Sequence, residues 1–224
     1  MRAMETPVRH DTTPPVRVGP ATAADVDALA AVLEDALADK YRAAFGGYAR
    51  AAIAALARAE LAAGVHGYLV ARRGNDVVGA AHVSVSDDAG VVDWSGTVRR
   101  AVGWPRSVRA DLVLSVLAHG PLGADEAYIG EVAVRADHRR AGVASALLDA
   151  VEQLAAQRGR TLLSLWVTVE NDGALALYHR AGFRPVTTRR WPLGRRLFRA
   201  WGATLMHKRI TPPRGSVTGK DSPP

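Results

Sequence analysis

The sequence contains no cysteine and very little lysine. The absence of cysteine excludes disulfide bonds, thiolate metal ligands and any covalent intermediate on a cysteine side chain. Lysine occurs only at positions 40, 208 and 220, so arginine supplies nearly all of the 29 basic side chains. The seven histidines include no i, i+4 pair of the kind that binds zinc on a helix. We therefore expect no metal site.

Long uncharged apolar segments are also missing. A membrane-spanning helix needs roughly 20 such residues, whereas the Ala-rich stretch 50–65 is interrupted by Arg50, Arg58 and Glu60. The first 15 residues lack the apolar segment of a secretion signal. Hydrophobic residues make up 48% of the chain, which is typical of a globular domain. We expect a cytoplasmic protein that does not bind membranes.

Acidic residues become scarce in the second half of the chain. Residues 1–126 carry 13 basic and 15 acidic groups, a net charge of −2, whereas residues 127–224 carry 16 and 7, a net charge of +9. A positive half of this size suits an anionic partner, either a phosphorylated small molecule or a nucleic acid. A solvated arginine-rich surface is the alternative explanation.

The periodicity of apolar residues predicts one domain over residues 15–210, with flexible tails at 1–14 and 211–224. The expected fold class is α+β, a mixed and largely antiparallel sheet with helices on both faces. The predicted strands are 16–18, 68–71, 77–86, 128–134, 162–169, 186–190 and 203–209. The predicted helices begin near Thr22 and cover 49–63, 142–157 and 171–182, and a further helix is predicted within an insertion at 88–124.

A short motif follows the strand at 128–134. Residues 139–144 read Arg-Arg-Ala-Gly-Val-Ala, an Arg-x-x-Gly-x-Ala pattern at a strand-to-helix junction. Small residues let backbone N–H groups approach a ligand, and the start of a helix adds its positive dipole end. Two arginines can pair with phosphate oxygens. The motif predicts a pyrophosphate-binding loop. A tight turn with two solvated arginines would give the same sequence pattern.

A second segment follows that loop at the spacing of a known family. Residues 167–178 read Val-Thr-Val-Glu-Asn-Asp-Gly-Ala-Leu-Ala-Leu-Tyr, and Ala-Gly-Phe follows at 181–183. The order of these motifs resembles the GNAT superfamily of N-acetyltransferases over about residues 15–210, most specifically over 128–183. The resemblance implies transfer of an acetyl group from acetyl-CoA to a primary amine, on a fold whose central strand pair is splayed.

The resemblance also implies roles for particular residues. The backbone of the strand before the loop pairs with the pantetheine arm of the cofactor, the loop binds the pyrophosphate, an asparagine contacts the arm, and a tyrosine protonates the leaving thiolate. These roles fall on Val132, Ala133 and Val134, then on Arg139, Arg140, Ala141, Gly142, Val143, Ala144 and Ser145, and finally on Asn171 and Tyr178.

For two candidate catalytic residues, the chemistry of the side chain itself supports a catalytic role. A phenol with an ordinary pKa near 10 is protonated at neutral pH and can donate to a leaving thiolate, which suits Tyr178. Glu131, the only carboxylate in the central part of its strand, is the candidate general base or substrate ligand. The alternatives are a packed tyrosine with a hydrogen-bonded hydroxyl and a structural ion pair between Glu131 and an arginine. Without cysteine, direct attack in a ternary complex is the simplest mechanism.

The amine acceptor is not identified by any motif. We expect residues 184–201 to wall its pocket, and we expect the insertion, with its stripe of Val108, Leu112 and Val116, to cover that pocket or form a homodimer contact. A second hypothesis is a non-catalytic module that binds acyl-CoA or nucleic acid, supported by Arg189, Arg190, Arg195, Arg196 and Arg199. The presence of both Asn171 and Tyr178 favours an enzyme and argues against a nucleic-acid partner.

Overall fold

The computed structural model describes residues 14–117, 119–191 and 200–211, without the side chains of 115–117. The strands are β1 (Val16–Pro20), β2 (Tyr68–Arg73), β3 (Asp76–Val85), β4 (Glu126–Val134), β5 (Leu162–Thr168), β6 (Arg184–Arg190) and β7 (Gly202–Arg209). The helices are α1 (Val26–Ala36), α2 (Ala38–Phe45), α3 (Ala49–Ala62), α4 (Trp94–Val102), α5 (Trp104–Leu117), α6 (Val143–Gln157) and α7 (Asp172–Arg180). The predicted tails fall almost wholly outside these ranges, as do Arg195, Arg196 and Arg199.

The strands form one sheet in the order β1-β2-β3-β4-β5-β7-β6. β4 and β5 are parallel, and the other neighbouring strands pair antiparallel. Helices α1 to α5 bury their apolar side chains against one face, around Leu29, Leu33 and Ile53. Helices α6 and α7 cover the other face, around Leu147 and Leu165. The predicted α+β class, with a largely antiparallel sheet and helices on both faces, is confirmed.

The central parallel pair separates partway along its length. The paired residues of β4 and β5 run from Glu126 opposite Leu162 to Ile129 opposite Leu165. Beyond that point β4 continues to Val134 and β5 to Thr168, but neither has a paired residue on the other strand. The splayed strand pair is therefore present, and it leaves an open wedge between the carboxyl ends of the two strands.

A β-bulge at Gly130 changes which side chains of β4 point toward each layer of helices. His82 of β3 pairs with Glu131, whereas the next residue, Val83, pairs with Ile129, so Gly130 has no partner on β3. Before the bulge, Ile129 packs in the core beneath α6. The extra residue inverts the alternation, and Glu131 therefore faces α2 on the opposite side.

The insertion at 88–124 differs from the prediction of a single helix. It forms two helices, because Gly103 at φ 82 ends α4 and Pro105 fits the first turn of α5. The predicted stripe does not face the protein, since Val108 and Leu112 are 49% and 70% exposed and Val98 and Ala110 are the buried contacts. The side chain of Val116 lies outside the description. A homodimer contact of this segment stays a prediction.

Candidate functional site

A cavity of about 600 Å³ opens at the wedge between β4 and β5. Its walls come from both splayed strands, from the start and face of α7, from the turn between α1 and α2, and from the end of β6. The lining side chains with polar or aromatic groups are Asp35, Asp39, Lys40, Tyr128, Glu131, Trp166, Thr168, Glu170, Asn171, Tyr178, Arg189 and Trp191. The cavity thus joins sequence segments more than 150 residues apart.

The loop between β4 and α6 has the backbone of an anion-binding turn. Arg140 and Gly142 both take positive φ angles, 60° and 77°. Arg140 is the one non-glycine residue with positive φ in the described chain, a conformation that is tolerated at functional turns. Alternating left-handed residues turn successive N–H groups toward one side, and the first N–H groups of α6 have no partner within the helix. This geometry suits the phosphate groups predicted for the loop.

The side chains of the predicted cofactor-binding segment have different surroundings. Val143 is 1% exposed and anchors α6 in the core. Arg139 donates from Nε to the carbonyl oxygen of Val134 at 3.4 Å, and it is exposed, as are Arg140, Ala141 and Ser145. Val132 lines the cavity, whereas Ala133 is buried on the face of α1 to α5. Of the predicted residues between 132 and 145, only Val132 lines the cavity, so the loop at 139–145 lies beyond its lining.

Tyr178 lies in α7 with its ring packed edge-on against Phe183, at 5.8 Å between ring centroids. The residue is 9% exposed and still lines the cavity. Burial raises the pKa of its hydroxyl to about 12. The hydroxyl is therefore a proton-bearing donor at all ordinary pH values.

Asn171 begins α7 and also lines the cavity. Its Oδ1 accepts a hydrogen bond from the backbone N–H of Ala174 at 3.1 Å, so the side chain caps the helix. The cap uses one lone pair of the carbonyl oxygen and leaves the amide NH₂ as a donor for a ligand.

Glu131 reaches the cavity but is held by two residues of α2. Lys40 Nζ lies 2.8 Å from Glu131 Oε1, and the Tyr41 hydroxyl donates to the same oxygen. Burial alone would raise the pKa of Glu131, but Lys40, His82 and Tyr41 outweigh it and lower the pKa to about 2. The predicted ion pair with an arginine is thus an ion pair with lysine, and the carboxylate stays charged and strongly held.

The α1–α2 turn and β5 contribute side chains to the cavity that no sequence motif indicated. Residues 35–40 form one wall of the cavity, although α2 was not predicted. Arg189 stacks on the Trp166 ring at 4.7 Å on another wall. Trp166 Nε1 is buried with no hydrogen-bond partner among the described residues. The scarcity of lysine was the one available signal for Lys40, but it gave no information about where Lys40 lies in the fold.

Of the two segments expected to line the acceptor pocket, only one contributes described residues to the cavity. Arg189, Trp191 and Ala200, which fall in 184–201, line the cavity. No described residue of the insertion at 88–124 does so; Asp88, Trp94 and Leu122 border a second, smaller cavity instead. The prediction that the insertion covers the acceptor pocket is therefore wrong for this cavity, because α4 and α5 pack against α3 and α2.

Among the described residues, no three His, Asp or Glu side chains come together as a metal would require. In the same part of the chain, no helix combines the length and apolar character needed to cross a membrane.

Comparisons with known proteins agree with this geometry. Residues 31–183 match the model of the acetyltransferase (GNAT) family. A 57-residue segment is 44% identical to an uncharacterized N-acetyltransferase of Methanocaldococcus jannaschii, and it covers 25% of this chain and 25% of that relative.

Solved structures share the fold over most of the chain. An N-acetyltransferase of Staphylococcus aureus superposes with a TM-score of 0.64 at 18% identity, covering 86% of this chain and all 100% of that one. An N-acetyltransferase of Thermoplasma acidophilum in complex with coenzyme A gives 0.53 at 11% identity, covering 88% and 99%. A Salmonella typhimurium protein determined with its cofactor acetyl-CoA gives 0.60 at 17% identity, covering 89% and 96%.

Proposed function

The chain belongs to the acetyltransferase (GNAT) family, and on that premise we propose that it transfers the acetyl group of acetyl-CoA to a primary amine by direct attack in a ternary complex. One observation carries the proposal. The unpaired residues Gly130 to Val132 of β4 and the residue Tyr178 of α7 all line a single cavity of about 600 Å³. That volume lies within the usual range for small-molecule sites.

The residues of the wedge and the loop fit acetyl-CoA. The N–H groups at the start of α6 and the left-handed turn at Arg140 and Gly142 would hold the pyrophosphate, with Arg139 and Arg140 adding charge. The free backbone edge at Val132–Val134 would hold the pantetheine arm, and the Asn171 amide would donate to it. When bound, acetyl-CoA supplies an activated acetyl thioester.

Tyr178 would stabilise the sulfur as negative charge develops on it. A pKa of about 12 keeps the hydroxyl protonated, but it also makes complete transfer to a thiolate of ordinary pKa unfavourable. We therefore assign Tyr178 first the role of a hydrogen-bond donor to the leaving thiolate. Donation to developing charge contributes to turnover rather than to binding of the ground state.

Glu131 would attract the amine and orient it rather than accept its proton. A carboxylate with a pKa of about 2 is too weak a base to hold a proton at neutral pH. Among the described lining residues, the four carboxylates of Asp35, Asp39, Glu131 and Glu170 outnumber the two cations Lys40 and Arg189. This excess of negative charge favours an acceptor that arrives as a cation, as primary amines do.

A panel of primary amines, assayed by release of free CoA thiol, tests the proposal. For an amine that is acetylated, we expect Tyr178→Phe to lower kcat by about 10²-fold and to leave CoA affinity nearly unchanged. Tyr48→Phe is the matched control, because Tyr48 is 45% exposed and does not line the cavity. CoA binding without transfer to any amine would instead support a non-catalytic acyl-CoA-binding module.

A further inference from the structure

A buried histidine–carboxylate pair lies behind the cavity wall. His82 of β3 places Nε2 3.1 Å from Oε1 and 3.2 Å from Oε2 of Glu60, on α3. The two side chains are only 16% and 17% exposed. Both border the second cavity, of about 200 Å³, which lies on the side away from the wedge. The acetyl transfer proposed above does not use this pair.

The other nitrogen of the same imidazole lies beside the bulge in β4. His82 pairs directly with Glu131 across β3 and β4, so the two side chains emerge on the same face. A methyl group placed on Gly130 would lie 3.4 Å from His82 Nδ1, and Gly130 lines the large cavity. His82 itself lines the second cavity and not the large one, so Gly130 is the cavity-lining residue through which solvent would reach Nδ1.

Acetyl transfer needs a group that can keep the proton of the amine. Glu131, with a pKa of about 2, cannot hold it at neutral pH. Burial alone would lower the pKa of His82, but Glu60 and Glu131 outweigh burial and the opposing charge of Lys40 and raise it above its ordinary value.

The remaining titratable neighbours of His82 do not compete for that proton. The ring of Tyr68 on β2 contacts the imidazole in a tilted arrangement, with 4.4 Å between ring centroids, and burial keeps the pKa of both Tyr68 and Tyr41 well above 10, so both hydroxyls stay protonated. Asp88 borders the second cavity but is paired with Arg158. Among these neighbours, His82 is the group whose ordinary pKa lies near neutral pH, and its pKa is raised from there by Glu60 and Glu131.

We propose that His82 receives the proton released by the acceptor amine, through solvent at Gly130, while Glu60 fixes the tautomer and stabilises the imidazolium. As the amine nitrogen bonds to the acetyl carbon, the C–S bond of the thioester breaks and the CoA thiolate leaves, while the N–H bond of the amine breaks and its proton reaches His82 Nδ1. Nε2–H stays donated to Glu60, and Nδ1 returns the proton to solvent before the next turnover. This inference rests on the proposed acetyl transfer, because it names the proton acceptor of that reaction.

The pH dependence of kcat and kcat/KM on an amine from the panel tests the assignment. In the unmodified protein, activity should fall on the acid side as His82 becomes protonated. Glu60→Gln removes the anion that raises the pKa of His82, so the acid limb should move to lower pH while the plateau rate falls. His82→Gln should remove this limb and lower kcat at least tenfold. The ionisation of the amine itself is common to all variants and cannot cause a difference among them.

A control and a third variant separate proton transfer from structural support. His119→Gln removes another largely buried histidine–carboxylate pair, 2.9 Å from Glu126, and should leave the limb in place. Gly130→Ala puts a methyl group against Nδ1 without removing a titratable group, and should lower kcat while CoA affinity, measured by calorimetry, is kept.

The outcomes distinguish this inference from the function on which it rests. A wild-type pH profile and rate in His82→Gln, or an unmoved limb in Glu60→Gln, overturns the role of His82 while acetyl transfer stands. Absence of acetylation by the unmodified protein, despite CoA binding, overturns both. If His82→Gln does not fold, as judged by its urea transition, the limb shift in Glu60→Gln decides.

Discussion

Replacing Lys40 by methionine tests the ion pair that determines the state of Glu131. Lys40 Nζ lies 2.8 Å from Glu131 Oε1, and the two side chains are 29% and 11% exposed. Methionine keeps most of the apolar stem and removes the charge, so the change reports on electrostatics more than on packing. A carboxylate that loses its cation while it remains buried is destabilising.

The magnitude follows from the pKa of Glu131. A fall from the ordinary value of 4.5 to about 2 corresponds to about 3 kcal/mol in favour of the charged form. Lys40 is the first of the groups that lower this pKa, ahead of His82 and Tyr41. Since solvent reaches the lysine and screens part of its charge, we expect Lys40→Met to lower the free energy of unfolding at pH 7 by about 1–2 kcal/mol.

The loss should depend on pH in one direction. The folded pKa of Glu131 is depressed, so its contribution to stability is present above the unfolded value of 4.5 and disappears as the pH falls toward about 2. The difference between wild type and Lys40→Met should therefore be constant near neutral pH and shrink as the solution is acidified below about 4.5.

Urea denaturation followed by tryptophan fluorescence measures these free energies, and the five tryptophans provide the signal. Glu131→Gln and the double variant complete a thermodynamic cycle that isolates the pair. If Lys40→Met costs as much in the Glu131→Gln background as in the wild type, or if its cost does not change on acidification, the assignment of the low pKa to Lys40 is wrong.

Two further predictions concern glycines. Gly142→Val places a β-branched residue at φ 77° in the loop. We expect the affinity for CoA, measured by calorimetry, to fall at least tenfold, which corresponds to about 1.4 kcal/mol. Unchanged affinity in a folded variant would contradict the assignment of this loop to the pyrophosphate. Gly79→Ala puts a methyl group 2.8 Å from Val143 Cγ1 and 3.1 Å from Leu147 Cδ1, and should destabilise the protein to urea by about 1–3 kcal/mol. Gly19→Ala, with no atom within 4 Å of the new methyl group, is its control; equal losses in the two variants would rule out crowding at α6.

The parts of the site that the sequence predicted well depend on local signals. Asn171 caps α7, as its position before a helical pattern indicated. The helix ends at Gly182, where Phe183 N–H donates to the carbonyl oxygen of Tyr178 at 2.9 Å in a Schellman turn. Gly142 stands in the left-handed conformation immediately before α6. Each feature is fixed by residues within a few positions along the chain, which is the range that a sequence pattern reports.

The features that the sequence did not predict depend on contacts between distant segments. Lys40 and Glu131 are 91 positions apart, and α2, at eight residues, is too short to show a clear periodicity. The orientation of Glu131 also required the bulge, for which an isolated glycine inside a strand pattern was the available signal. Val108 and Leu112 have helical spacing whether they face the core or solvent, so their exposure could not be read from spacing alone.

The bulge at Gly130 makes the pairing register of β4 as important as its composition. The unpaired residue inverts the alternation within the strand, so that Ile129 and Val132 both pack toward α6 although they are three positions apart. If the same residues paired with β3 without a bulge, Gly130 would stand opposite His82 and Glu131 would turn away from α2, beneath the wrong layer of helices. Any redesign of the cavity therefore has to keep Glu131 opposite His82.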